Sequence, residues 1–518
     1  MKLKNILLTS LCVSSFGATT IQAQTINEGF LFSQENNGGT ARFKGLGNAK
    51  TALGGDISSI TGNPAGLGFF GQSDISITAS YNNAANEGSY FGSKVNKNKG
   101  RFGIDHAGTV FHFPKNEGYY GWQNFNVGLS YENTNSFNNH VRYEGTNPDN
   151  TIVSAYSDEI DITKNVAFAD DLTRLKLIER FADAQQGYFP ITNEMEDKQQ
   201  VSDILTKGFS SRTAIAFGGN YNNKFYIGGT IGFSSFRYEN SDQFSERGWT
   251  KNRATVLADN PGSTFADPDH ENSKILDANY ELFDENYIES EGAGIDFKVG
   301  AIFKPAVDWN IGATITSPTW YTIDRYAEST ITADYYDNET ASDSFFGADI
   351  FYQDQEFTYR VVTPWKFGVG LSKFFSRGLI SADAEYINYG STKIRTSGAI
   401  DPSWEEGWDA DMKDTYQAVV NVRAGGEYLF TNAISGRLGF NYFGNPYKNA
   451  DNKQYSGSMG LGIKLSHALY MDIAVVHLVN DYKASRYTID ETFWDSSNPI
   501  ASIKHQRTNA VLTLGVKF

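Results

Sequence analysis

Apolar and polar residues alternate at period two in one stretch after another from Ser73 to the end of the chain. The pattern predicts strands near 73–83, 101–113, 122–135, 210–221, 223–238, 288–304, 307–322, 356–374, 378–390, 416–430, 432–443, 454–465, 468–482 and 505–518. In the last of them Ala510, Leu512, Leu514, Val516 and Phe518 share one face, and Asn509, Thr513, Gly515 and Lys517 the other. A strand of about ten residues with one apolar face has the length of a single pass across an outer membrane. About fourteen such strands, an even number, predict an all-β, closed antiparallel transmembrane barrel.

The connections sort by length. Those after the second, fourth, sixth, eighth, tenth and twelfth strands are short, and include Asn222, Lys304-Pro305-Ala306, Phe375-Ser376-Arg377, Asn432 and Ser466-His467. The others, 84–100, 136–209, 239–287, 323–355, 391–415, 444–453 and 483–504, are mostly long. Short turns on one rim and long loops on the other is the outer-membrane arrangement, with the short turns and both termini toward the periplasm. A soluble sandwich has no reason for so strict an alternation.

Several strands show which face meets lipid. In 416–430, Ala418, Val420, Val422, Ala424, Tyr428 and Phe430 oppose Gln417, Asn421, Arg423 and Glu427. In the strand after Arg377, Ile380, Ala382, Ala384 and Tyr386 oppose Ser381, Asp383 and Glu385. A cation facing lipid at mid-strand costs roughly 2–4 kcal/mol, so these charges belong in the lumen. Asp383, Glu385, Arg423 and Glu427 are therefore read as a lumenal ion network, either structural or in contact with a substrate.

Composition sharpens this picture. The mean hydropathy is −0.42, and no run of about 18 apolar residues follows the first segment, which excludes a helical membrane bundle but not a barrel. Fifty Gly, 29 Tyr and 37 Phe suit crowded strands and interfacial aromatic girdles. The balance of 44 Lys+Arg against 60 Asp+Glu, net −16, argues against a nucleic-acid partner. Lys2 and Lys4, the apolar Ile6 to Ala18, and Ile21-Gln22-Ala23 before Gln24 read as an export signal over 1–23. Cys12, the sole cysteine, lies inside it behind Leu11, which does not suit lipidation. The mature chain is thus expected without a disulfide, a thiolate nucleophile or a cysteine metal site.

Residues 24–72 lack strand alternation and are rich in small residues: Gly45-Leu46-Gly47-Asn48-Ala49, then Leu53-Gly54-Gly55-Asp56, then Thr61-Gly62-Asn63-Pro64-Ala65-Gly66-Leu67-Gly68. Asn63-Pro64 has the chemistry of a helix start or a tight turn. Such a segment holds no core of its own, and the nearest cavity is the lumen of the barrel spanning 73–518. This segment, the Asn63-Pro64-Ala65 just before the first strand, about fourteen strands and a terminal Phe518 together resemble the outer-membrane long-chain fatty acid transporter family. That family includes the aromatic-hydrocarbon uptake barrels. Ser317-Pro318-Thr319-Trp320-Tyr321 and Thr363-Pro364-Trp365 look like further landmarks of it. The resemblance implies a fourteen-stranded barrel with an amino-terminal hatch at 24–72 that contains Asn63, Pro64 and Ala65. It implies passive uptake of hydrophobic small molecules, fatty acids among them, released when the hatch shifts. It also implies a location in the outer membrane among its lipids and lipopolysaccharide, insertion by the barrel-assembly machinery through the terminal strand, and a monomer. The long 136–209 and 239–287 depart from the better-known members, so ligand capture is expected to differ.

Candidate contacts with an apolar ligand are Phe69 and Phe70 at the hatch–barrel junction, or else these two simply pack the plug on the wall. Leu172, Leu175, Ile178 and Phe181 recur at helical spacing after Asp170-Asp171, which predicts an amphipathic loop helix. Leu175, Ile178 and Phe181 then either line an outer groove or pack on neighbouring loops. Asp267-Pro268-Asp269-His270-Glu271 is an acidic tip without the ligand spacing of a calcium loop. His106 and His112 lie ~20 Å apart along one strand at ~3.3 Å per residue, and no Gly-x-Ser-x-Gly or His-Glu-x-x-His occurs. No enzyme and no cofactor are expected. The alternative to uptake is a barrel that shuttles secreted proteins, separated from it by whether the lumen holds an apolar cavity.

Overall fold

The computed structural model describes residues 27–35, 38–115, 120–353, 357–397 and 404–518, so the predicted export signal lies outside the described residues. The chain forms a closed antiparallel barrel of 14 strands. They are β1 (Asp74–Tyr90), β2 (Ser93–Pro114), β3 (Trp122–Ser136 and Asn139–Asn147), β4 (Lys198–Tyr221) and β5 (Phe225–Trp249). Next come β6 (Asn279–Ala306), β7 (Trp309–Thr316 and Trp320–Tyr336), β8 (Phe346–Gln353, Phe357–Val362 and Lys366–Phe375) and β9 (Gly378–Asn388 and Lys393–Thr396). The last five are β10 (Ala418–Leu429), β11 (Ile434–Phe443), β12 (Lys453–Lys464), β13 (Leu469–Ala484) and β14 (Ala501–Lys517). β14 pairs back onto β1 from Asp74↔Lys517 to Ser89↔Ser502, and Phe518 N–H donates to the Ser73 carbonyl at 3.0 Å.

The alternation sets the faces. Ile75, Ile77, Phe233, Val299, Val422 and Leu438 stand exposed on the outer wall, while Asp383, Asn421, Arg437 and Asn441 point inward and are buried. Pro318 and Pro364, which have no N–H for a ladder, occupy adjacent interruptions of β7 and β8. The gap is stitched there by Thr363 N–H to the Thr319 carbonyl (3.1 Å) and Thr319 N–H to Thr363 Oγ1 (2.8 Å).

One expected loop is not a loop. Residues 84–100 continue β1 and β2 to a two-residue turn, where Phe91 (φ 43°) and Gly92 (φ 83°) both adopt left-handed backbone. Such a turn matches the twist of the strands it joins, and the Asn- and Gly-rich flanks hid the pairing from the apolar pattern. Strands β4, β5 and β6 likewise run on beyond their expected upper ends.

Residues 38–72 fill the lower lumen and are fastened to the wall all round. Ala41 N–H donates to Thr513 Oγ1 (2.8 Å), Thr51 N–H to Asp383 Oδ2 (2.8 Å), Asn310 Nδ2 to the Ala52 carbonyl (3.0 Å) and Asn126 Nδ2 to the Leu67 carbonyl (2.6 Å). Glycine makes this approach possible: a Cβ at Gly312, Gly425 or Gly439 would collide with the backbone of Thr51, Leu46 or Gly47. Over the upper mouth, residues 148–197, 250–278, 337–345 and 485–500 pack into a cap around Tyr156, Phe168, Leu172, Val256, Tyr335 and Tyr487. The loop helix runs over Val166–Arg174, with Asn165 rather than Asp170 or Asp171 accepting at its start from Phe168 N–H (3.1 Å). Lys176 (φ 61°) ends it, and Ile178–Arg180 is a strand paired with Tyr188–Pro190.

The upper part of β2 lacks a partner on one side. β2 pairs with β1 along its length, but with β3 only from His106↔Glu132 down to Pro114↔Asn124. Above this β3 breaks, and its upper part, Asn139–Asn147, pairs with β4 and crosses the inner face of β1, where Asn86 Nδ2 donates to Asn139 Oδ1 at 2.7 Å. Among the described residues the upper edge of β2, 93–105, has no strand partner on that side.

Candidate ligand site in the lumen

A cavity of about 470 Å³ lies inside the barrel between the plug and the cap. It is two-ended. Phe137, Val141, Ile204, Ile288, Leu478 and Tyr482 line its upper part among polar neighbours that include Asn139, Asn480, His505 and Arg507, while Lys50, Arg212, Lys298, Lys366, Arg423 and Glu385 line the part against the plug. Lys50 belongs to the plug and Phe137 to the break in β3, and the others sit on inward-facing strand positions. A mixed apolar and polar upper part and a charged lower end thus follow from which residues each strand turns inward at each height.

A helix over residues 27–33 lies in this cavity, and two of its aromatic side chains are anchored. Phe30 stacks on Tyr416 (4.5 Å between centroids) and meets Tyr389 edge-on (5.0 Å); Phe32 stacks on Phe236 at 3.8 Å. Just beyond, Glu35 enters the charged end. Arg212 donates to both of its carboxylate oxygens, Nη2 to Oε1 (2.9 Å) and Nη1 to Oε2 (3.2 Å), and Lys366 Nζ donates to Oε1 at 2.8 Å. Burial alone raises the Glu35 carboxyl, but Arg212, Lys366 and Lys298 outweigh it and hold it well below the usual carboxylate range. Arg212 is shared with Asp296 (2.9 Å). The site is chemically a chamber of mixed apolar and polar lining with a cation cluster at its floor, two members of which, Arg212 and Lys366, are bound by a carboxylate from the chain's own leading segment.

Asn63 is fully buried at the start of a short 3₁₀ helix, Pro64–Phe69. Its Oδ1 accepts from Ala65 N–H (3.1 Å), and its Nδ2 donates to the Thr51 carbonyl (2.6 Å) and to Ala301 of β6 (3.3 Å). Pro64 fits against Gly218 and Gly228, and Ala65 against Tyr226 and Ile302. Phe69 stacks on Tyr226 at 3.9 Å and Phe70 packs with Ile57, Leu67 and Val110, so both lie between plug and wall and neither lines the cavity. Leu175 and Ile178 are fully buried in the cap core with Phe181 packed beside them. Of the four charges read as one network, Glu385 and Arg423 pair at 2.8 Å and line the cavity. Asp383 instead holds the plug through Thr51, and Glu427 bonds Arg42 of the plug (3.3 Å) and Arg437 (2.6 Å). Sequence reasoning missed Glu35, Phe30, Phe32, Arg212, Lys298 and Lys366. The two arginines carry the same signal, a cation inside an apolar alternation, yet only Arg423 was weighed.

No protein-family model matches the chain, and no curated protein matches it. Two solved structures share its fold. A FadL homologue from Pseudomonas aeruginosa is 13% identical, with 94% of this chain and 99% of that one covered at a TM-score of 0.51. The toluene transporter TodX of Pseudomonas putida is 12% identical, with 94% and 100% covered, also at 0.51. At such identity the likeness shows the fold alone, the closed β-barrel.

Proposed function

We propose that this chain is an outer-membrane channel for the passive uptake of hydrophobic small molecules carrying an anionic end, long-chain fatty acids being the type case. The observation that carries this reading is a cavity of ligand size with apolar side chains among polar ones in its upper part and a cation cluster at its floor. The shared fold with a toluene transporter supports the hydrophobic part of the reading. The presence of a lumenal cavity favours uptake over a protein-export shuttle, which has no need of one. The plug serves as the hatch below the ligand.

Glu35 gives this site an internal competitor. Its carboxylate, with Phe30 and Phe32 upstream, satisfies the same cations and aromatic walls that an anionic amphiphile would. An arriving acid exchanges with Glu35 on Arg212 and Lys366 and frees the leading segment, which loosens the plug it continues into. The test is binding of a fluorescent fatty acid and of its methyl ester to the detergent-solubilised barrel. In a Glu35→Gln background, which removes the competitor, Lys366→Gln weakens the acid about tenfold or more, since a charge-assisted hydrogen bond contributes roughly 1.5–3 kcal/mol, and leaves the ester unchanged. Equal loss for acid and ester, or no loss, refutes the anionic end; mass spectrometry of material co-purifying with the barrel identifies the ligand class directly.

A further inference from the structure

We infer that the upper lumen recognises a hydroxyl group on the chain of its amphiphile, so that the acids taken up are hydroxylated at mid-chain. The inference rests on the uptake reading above for the carboxylate end and adds a second point of recognition. Gln454 on β12 stands directly opposite Asn480 on β13, and Asn480 directly opposite His505 on β14. Arg507, two residues along β14, lies diagonal to Asn480, within reach of a long side chain. Asn452, two residues before Gln454, completes the group, and every one of these side chains lines the cavity.

The group does not satisfy itself. The side-chain oxygens of Asn452 and Asn480 are buried and accept no hydrogen bond. Among the described residues the Gln454 amide and the Arg507 guanidinium make no hydrogen bond or ion pair. Beside them the inward face is closed on itself. His505 Nδ1 and Asn86 Oδ1 lie 2.8 Å apart, Asn86 Nδ2 donates to Asn139 Oδ1 (2.7 Å), and Asn509 Nδ2 donates to Asn82 Oδ1 (2.6 Å). Unspent donors and acceptors therefore gather at one point of the ligand cavity. A buried amide oxygen without a donor is costly, so the group calls for a partner that enters from the cavity.

The balance of donors and acceptors selects that partner. A carboxylate or phosphate offers only acceptors: it suits Arg507 and leaves the Asn452 and Asn480 oxygens unpaired. An ammonium offers only donors and is repelled by Arg507. A bare alkyl chain satisfies none of them. A hydroxyl does both, donating to an amide oxygen while accepting from the guanidinium or from the Gln454 amide. The apolar neighbours suit the chain that carries it. Leu478 stands directly opposite Arg507, and Tyr482, two residues further up β13 than Asn480, packs with Val141 and Ile204. Topology fixes where on the chain the hydroxyl lies. In a ring of fourteen strands, Lys366 on β8 is four strands from Gln454 and six from Arg507, and Arg212 on β4 is as far in the other direction. At ~4.8 Å between strands, roughly 19–29 Å of wall separates the group from the cations of the floor. With its carboxylate on Arg212 and Lys366, the ligand carries its hydroxyl well along the chain, not beside the carboxylate.

The test uses the whole barrel purified in detergent, with stearate, 12-hydroxystearate and 2-hydroxystearate competing against the fluorescent fatty acid. 12-Hydroxystearate is expected to displace the probe at about fivefold lower concentration than stearate, and 2-hydroxystearate to match stearate. Asn480→Leu erases the advantage and binds stearate no more weakly than the wild type does. Should that variant not fold, judged by heat-modifiable mobility on gels, Gln454→Leu lowers the advantage to about twofold. Equal displacement by stearate and 12-hydroxystearate, an equal gain from 2-hydroxystearate, or a folded Asn480→Leu that keeps the advantage overturns the proposal. The methyl esters of stearate and 12-hydroxystearate carry no anion and should differ by the same factor. A failure of the anionic end in the uptake reading therefore leaves that comparison intact and is distinguishable from a failure of the hydroxyl site.

Discussion

Two polar contacts fasten the cap. Arg486, in the connection between β13 and β14, lies against Asp242 (2.5 Å) and Asp284 (3.1 Å), all three almost fully buried. Removing one partner of such a cluster leaves uncompensated charge and costs about 3–5 kcal/mol. Arg486→Met is therefore expected to free residues 485–500 for cleavage by chymotrypsin-like proteases, at Tyr487, Phe493 or Trp494, while the barrel band on a gel stays intact. A second contact holds the same connection. Asp158 accepts from Asp490 N–H (2.7 Å) and Trp494 Nε1 (2.8 Å). Burial, helped by the nearby Asp490 and Asp161 carboxylates, outweighs these bonds and pushes its carboxyl up to about 6. With a folded pKa above the unfolded value of about 3.9, the contact contributes stability that is fully present below pH ~4 and is lost as pH rises through 6. Proteolysis of this connection should be slower at pH 4.5 than at pH 7.5, and Asp158→Asn should remove most of the difference; an unchanged pH dependence in that variant refutes the assignment.

At the scale of elements, the fit of plug to wall rests on backbone meeting backbone. Gly312 on β7 faces the Thr51 carbonyl and Gly425 on β10 faces that of Leu46. Gly312→Val drives a branched side chain into the plug, and overpacking of this kind costs about 1–3 kcal/mol. The ladder itself is untouched, so the barrel should retain its melting temperature while residues 45–55 become protease-sensitive; a loss of the barrel with the plug would show that the two fold as one unit. The contrast explains what the sequence exposed and what it concealed. Val420, Val422, Ile315 and Phe367 had to be apolar because they face outward alone, so period two located the strands directly. Gly312 and Gly425 are defined by a neighbour hundreds of positions away or in another element, and one glycine in a strand looks like any other. The upper halves of β1, β2 and β5 were hidden for a similar reason: the buried inner face there carries polar residues such as Asn86, Asn240, Asp242 and Glu246, and on β2 Lys94 and Asn98 stand exposed, so the apolar period is lost. The charged floor of the cavity was half legible. Arg423 and Glu385 interrupt clean alternations, whereas Glu35 stands in an aperiodic segment and acquires its role only when folding brings it 177 positions away to Arg212.

For the molecule as a whole, the uptake proposed above makes the barrel, the plug and the leading segment three layers of one resistance to flow. Solutes would meet the mixed apolar and polar chamber, then the cation floor closed by Glu35, then the plug bonded to β3, β7, β9 and β14. If Glu35 is the latch, neutralising it and removing the plug must differ in kind. Glu35→Gln leaves the plug's own bonds in place and frees Arg212 and Lys366, so an anionic amphiphile should bind about tenfold more tightly, one charge-assisted competitor having been removed. Flux of small neutral sugars into liposomes should not change. Deletion of residues 24–62 strips the lower lumen as well, leaving a wall whose inner face is lined there by glycines and paired charges, and sugar flux should then rise sharply while the strands remain closed by β1 and β14. The two variants have separable outcomes because the latch acts on ligand exchange and the plug on the open cross-section. Sugar flux that rises in Glu35→Gln as much as in the deletion would mean that this carboxylate holds the plug itself, and that the two layers are one.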